Sequence, residues 1–158
     1  MPRDSPANKG TWHRESDSVE IESCSRTGGS EFGSSMTAKS STILVVDDDE
    51  DVLLVASSYL RDQGFTILEA TSGVEGLSIL RDRDGIDLLF TDIAMPGGMD
   101  GFELAHRARQ IRPTLRVLYT SGYVKDVPRD RALMSYGKLL PKPWRLASLD
   151  EAVRLALS

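Results

Sequence analysis

A chain of 158 residues with 40% hydrophobic content has room for one packed domain and a tail. Acidic side chains outnumber basic ones by 24 to 19, a net charge of -5, and no basic face of the kind that nucleic acid attracts stands out. One cysteine (Cys24) excludes an intrachain disulfide, two distant histidines (His13 and His106) offer no zinc-type ligand set, and no apolar run reaches the roughly 20 residues that cross a bilayer. With no signal-peptide apolar region at the start, these features predict a cytoplasmic protein with neither a membrane nor a nucleic-acid partner.

Residues 1–41 are rich in Ser, Gly and charged side chains and lack a sustained apolar period. Such a segment buries too little apolar surface to offset its chain entropy, so a disordered tail is predicted over 1–41 and a folded domain over 42–158. Met36 is a candidate natural start, with a docking arm as the alternative role for the tail. From Thr42 onward strands and helices alternate. Thr42-Ile43-Leu44-Val45-Val46 is continuously apolar, as a strand covered on both faces should be. Val52, Val55, Ala56, Tyr59 and Leu60 then recur at helical spacing, and Gly64 punctuates the end of that helix. Phe65 to Leu68 reads as a second strand. Ser72 and Glu75 have capping-box spacing for a second helix carrying Val74, Leu77 and Leu80. Ile86 to Phe90 is the third strand. Asp100 with Glu103 caps a third helix, with Leu104, Ala108 and Ile111 along one face. Leu115 to Tyr119 is the fourth strand, a weak helix follows around Pro128 to Tyr136, and Lys138 to Leu140 is a short fifth strand. Ser148 with Glu151 is the expected cap of a last helix carrying Leu149, Val153 and Ala156.

Five strand–helix units imply an α/β fold with a parallel sheet and helices on both faces. Ligands of such sheets bind beyond the carboxyl ends of the strands. Asp47 and Asp48 follow the first strand, Asp92 follows the third after Thr91, Thr120 follows the fourth, and Lys142 follows the fifth after Pro141. Three carboxylates brought together repel, and a divalent cation removes the conflict. Oxygen donors without Cys or His suit a hard ion, most plainly Mg2+. Lys142 adds a mobile positive charge and Thr120 a short hydroxyl donor. Together they form an anion-neutralising set around a nucleophilic carboxylate, which is most of what phosphoryl transfer needs. Read singly, each feature is bland. The run Asp47 to Asp51 is a solvated helix start, Asp92 caps a turn before Pro96, and Thr120 or Lys142-Pro143 is structural. Their joint placement at successive strand ends is the informative observation.

At these residues the chain resembles the receiver domain of bacterial two-component response regulators, over about Thr42 to Leu157. The matching pieces are Ile43-Leu44-Val45-Val46-Asp47-Asp48, Asp92-Ile93-Ala94-Met95-Pro96 with Met99-Asp100-Gly101, Thr120-Ser121-Gly122, and Lys142-Pro143-Trp144. The resemblance implies a flavodoxin-like, doubly wound sheet in the order 2-1-3-4-5. It implies that Asp92 is the phospho-acceptor. Asp48, Asp92 and the backbone carbonyl of Ala94 would ligate Mg2+ directly, and Asp47 would act through a coordinated water. Lys142 would contact the phosphoryl group, Thr120 would swing in to hydrogen-bond it, and the Lys142-Pro143 bond would be cis. Asp49 matches an acidic third position outside the direct ligands.

Some positions depart from the family pattern. Gly97-Gly98 adds one residue between Met95-Pro96 and Met99-Asp100-Gly101, which should lengthen the loop without moving Asp92. Leu139 stands where many receivers carry an aromatic switch. Tyr123 is a candidate for a related role, with surface packing as the simpler reading, and Trp144 reads as a packing residue. Ala94 and Gly122 lie two residues past Asp92 and Thr120, where side chains of similar domains help position the hydrolytic water. Neither can hydrogen-bond through a side chain, so slow self-dephosphorylation is expected.

The expected function is phosphorelay signal transduction. A sensor histidine kinase or phosphotransfer protein phosphorylates Asp92, and the modification biases a two-state switch read by a downstream protein. The readout face is expected on strand four, strand five and the helices after them. Because no output domain follows before Ser158, a single-domain regulator is expected, with a receiver piece of a hybrid kinase as the alternative. No enzymatic turnover is expected beyond Mg2+-dependent self-phosphorylation and slow self-dephosphorylation. The rivals are a haloacid-dehalogenase-type phosphatase, suggested by Asp47-x-Asp49, and a binding module that has lost phosphorylation.

Overall fold

The computed structural model describes residues 39–123 and 133–158. The expectations for residues 1–38, Met36 included, lie outside the described residues. Five strands, β1 (Thr42–Val46), β2 (Thr66–Ala70), β3 (Ile86–Asp92), β4 (Arg116–Ser121) and β5 (Gly137–Pro141), pair in parallel in the order β2-β1-β3-β4-β5. Four helices are described: α1 (Glu50–Asp62), α2 (Gly73–Asp82), α3 (Gly101–Ile111) and α4 (Leu146–Leu157). This is the flavodoxin-like, doubly wound arrangement.

The continuous apolar strands are explained by two cores. Ile43 and Val45 of β1, Leu88 and Phe90 of β3 and Leu118 of β4 pack with Leu53, Ala56 and Leu60 of α1 and Leu149 and Val153 of α4. Leu44, Val46, Leu89, Val117 and Tyr119, the alternating partners, pack with Leu77 and Leu80 of α2 and Leu104, Ala105 and Ala108 of α3. A strand buried on both faces has no polar face to spare, so it reads as an unbroken hydrophobic run.

Caps and tethers set the helix positions. Asp49 caps α1 by accepting hydrogen bonds from the Asp51 and Val52 amides, and Asp100 caps α3 by accepting from the Glu103 amide. Ser72 caps α2 as expected, but the Glu75 carboxylate reaches back to the amide and hydroxyl of Thr71 rather than to Ser72. Arg112, just past α3, donates to the carbonyls of Leu80 (3.1 Å) and Arg83 and pairs with Asp84 at 3.1 Å, so one guanidinium ties the end of α2 to the end of α3.

Several expectations are corrected. Helix α4 starts at Leu146, because the first helical bond runs from the Leu149 amide to the Arg145 carbonyl; Ser148 is therefore inside the first turn and caps nothing. Val55, Val74 and Ile111 are exposed, and α1 buries Leu53 and Ser57 instead. Strand β2 begins at Thr66 rather than Phe65, which packs against the α1/α4 core. Of the weak helix around Pro128 to Tyr136, residues 128–132 lie outside the described residues, and Leu133–Tyr136 form a single 3-10 turn.

Candidate functional site

The site lies at the carboxyl ends of β1, β3, β4 and β5. Asp47 directly follows β1, and its amide donates to the Ala70 carbonyl at the end of β2 (3.2 Å). Its Oδ1 accepts from the Asp49 amide at 3.0 Å, and its Oδ2 accepts from Lys142 Nζ at 2.7 Å. Asp47 is buried and Asp48 exposed. The acidic run thus divides: Asp47 and Asp48 face the site, whereas Asp49 serves the helix. Asp92 is the last residue of β3, only 6% exposed, and its register partner on β4 is Thr120. The next amide, Ile93, donates to the Thr120 carbonyl at 2.9 Å.

Asp47, Asp48 and Asp92 each offer a carboxylate oxygen within 4.8 Å of the others. Burial is the chief cause that pushes the Asp92 carboxyl up to about 6; the Lys142 charge pulls against it and the Asp47 charge adds to it. Lys142 Nζ is 3.5 Å from Asp92 Oδ1. Burial alone would lower the Lys142 ammonium, but its hydrogen bond to Asp47 and the charges of Asp47 and Asp92 raise it, so it stays charged. The donor set is oxygen only, with more negative than positive charge, which is what a hard divalent cation takes. Asp47, Asp48 and Asp92 therefore fit Mg2+.

The remaining predicted site residues fall as follows. Ala94 is exposed in the loop after β3. Gly97 and Gly98 absorb the extra loop residue with φ of 99° and 86°, a left-handed pair that side chains resist, and Asp92 keeps its strand-end position. Lys142 follows β5, its amide donates to the Ser121 carbonyl at 2.8 Å, and the Lys142-Pro143 bond is cis. Leu139 is partly buried beside its register partner Tyr119, whose ring lies 4.8 Å from that of Phe102. Tyr123 is 71% exposed, and its amide donates to Ser121 Oγ.

Three features of the site leave little signal in the sequence. Trp144 Nε1 donates to Thr120 Oγ1 at 3.2 Å; the only signal was a Trp two residues after Lys142. A mainly apolar groove of about 310 Å³, lined by Asp51, Val52, Val55, Lys142, Pro143 and Trp144, opens beside the carboxylates and explains why Val55 is apolar yet exposed. Gly101 opens α3 directly on the Asp92 peptide: a Cβ there would lie 2.1 Å from the Asp92 carbonyl oxygen.

The family model of the response regulator receiver domain matches residues 43–154. The chain is 33% identical over 122 residues to the response regulator receiver protein CpdR of Brucella abortus, covering 73% of this chain and 95% of CpdR. It is 34% identical over 117 residues to the sensor kinase CckA of the same organism, covering 73% of this chain but only 12% of that kinase. The crystal structure of the receiver domain from the hybrid histidine kinase CckA superposes with a TM-score of 0.63 at 36% identity, over 74% of this chain and 99% of that one.

Proposed function

Because the chain belongs to the response regulator receiver domain family, we propose that Asp92 accepts a phosphoryl group from a histidine kinase or phosphotransfer protein and that the product switches a protein-binding face. The observation that carries this reading is Asp92 itself: a strand-end carboxylate, nearly buried, with the Lys142 ammonium 3.5 Å away. An Asp92 carboxylate oxygen attacks the phosphorus of a phosphohistidine. The O–P bond forms as the P–N bond breaks, and the imidazole leaves with the electron pair and takes up a proton from water. Asp47, Asp48 and Asp92, with the backbone carbonyl of Ala94, are the groups that would hold Mg2+. When bound, that ion supplies charge neutralisation for the phosphoryl oxygens. Lys142 supplies a second positive charge, and Thr120 a hydroxyl donor on the neighbouring strand. The groove walled by Val52, Val55 and Trp144 gives a partner an apolar foothold beside the acceptor.

The chain acts as a switch in the cytoplasm rather than as a turnover enzyme, and its partners are proteins. Among the described residues no helix is long and apolar enough to cross a membrane. The setting we favour is a free-standing regulator, supported by the 95% coverage of CpdR; a receiver module of a hybrid kinase is the second reading, supported by the likeness to CckA. The phosphatase rival needs Asp49 in the site, yet its carboxylate caps α1.

Incubation with phosphoramidate and Mg2+ should add one phosphoryl group to the wild type by intact mass. Asp92→Asn should take up none, and chelation of the metal should suppress labelling. Labelling that survives in Asp92→Asn would sink this assignment.

A further inference from the structure

Thr120 is 1% exposed, and a hydroxyl out of water needs a partner inside the protein. That partner is Trp144, whose Nε1–H donates to Thr120 Oγ1 at 3.2 Å. The indole is steadied from another side by Phe90, with ring centroids 6.3 Å apart and planes inclined at 59°. Asp92 and Thr120 are register partners, yet the described hydrogen bonds link their strands here through backbone alone, Ile93 amide to Thr120 carbonyl. The Thr120 hydroxyl oxygen therefore accepts from the indole while its own proton stays available, and no described hydrogen bond carries that proton to the Asp92 carboxylate.

We infer that Trp144 is a positioning residue for Thr120: its indole N–H holds the hydroxyl in a resting position, and the hydroxyl turns out of that position to donate to a phosphoryl group on Asp92. This rests on Asp92 being the phosphoryl acceptor. On this inference the turn breaks the bond to the indole, so Trp144 opposes phosphorylation. A phenyl ring at position 144 can still pack on Phe90 but has no donor. Resting Thr120 would then be buried without its partner, whereas the phosphorylated state keeps the phosphoryl oxygens as partners. Losing one net hydrogen bond from the resting state shifts the balance toward the phosphorylated form by about twofold to tenfold.

The test uses beryllofluoride, a phosphoryl mimic, titrated with saturating Mg2+ into the full chain and followed by fluorine NMR. Wild type, W144F, T120V and the double variant are compared. W144F is expected to bind about twofold to tenfold tighter than wild type, and the gain should vanish in the T120V background. Unchanged or weaker binding by W144F overturns the inference. So does an equal gain without Thr120, because the ring would then act through packing. In wild type alone, the Trp144 indole N–H resonance, assigned by its absence in W144F, should shift on beryllofluoride binding; a Trp144 signal that does not move also overturns it. Wild type that fails to bind beryllofluoride would remove the Asp92 assignment itself, an outcome separate from a null result in W144F.

Discussion

Ala94 stands exposed two residues past Asp92, and on the proposed function it has no hydrogen-bonding side chain to offer a water that hydrolyses an acyl phosphate there. Ala94→Asn is expected to shorten the half-life of the phosphorylated protein several-fold, measured by loss of label after removal of the phosphodonor; an unchanged half-life would count against a role for this position. Single residues were legible where chemistry and strand position coincide. Asp47, Asp92, Thr120 and Lys142 each end or follow an apolar run, and a parallel sheet brings such ends together. Trp144 was not legible in the same way. A side chain after a strand reads as packing until the structure shows its N–H on the Thr120 hydroxyl.

Strands are more legible in the sequence than helix faces. The alternation of the two cores makes Ile43 to Val46 of β1 apolar without a break, a pattern with little ambiguity. Helix faces misled where an apolar side chain lines a groove, as at Val55, or stands exposed, as at Val74. The Ser148 spacing failed because a capping box is a local pattern, and the chain enters α4 one turn earlier at Arg145. Close approach between elements left almost no trace in sequence. Gly101 enters the sequence reading only within the matching piece Met99-Asp100-Gly101, but its lack of a side chain lets α3 rest on the Asp92 peptide. Gly101→Ala is expected to destabilise the domain by about 3 kcal/mol in urea unfolding, because neither backbone can yield without moving β3 or α3. A loss below about 1 kcal/mol would show that the helix shifts freely.

Over the whole molecule, the acidic pocket costs stability when no cation fills it. The Asp92 carboxyl is raised to about 6 from its ordinary 3.8, so the folded chain holds that proton more tightly than the unfolded chain. Its contribution is favourable at low pH and is lost as pH rises through about 6. Asp92→Asn does not titrate. In a chelator, its stability relative to wild type should rise by roughly 1–3 kcal/mol between about pH 4 and about pH 7.5, and saturating Mg2+ should reverse the trend. Urea unfolding at both pH values checks this, and a pH-independent difference would mean that burial of Asp92 is not the cause. Finally, the Arg112 clasp bears on where any movement can go. Its guanidinium rivets the ends of α2 and α3 into one block on a single face of the sheet. A bulky anion arriving at Asp92 then leaves the displacement to the β4–β5 rim, where one hydrogen bond joins the side chains of Thr120 and Trp144 and the Lys142 ammonium reaches across to Asp47 and Asp92.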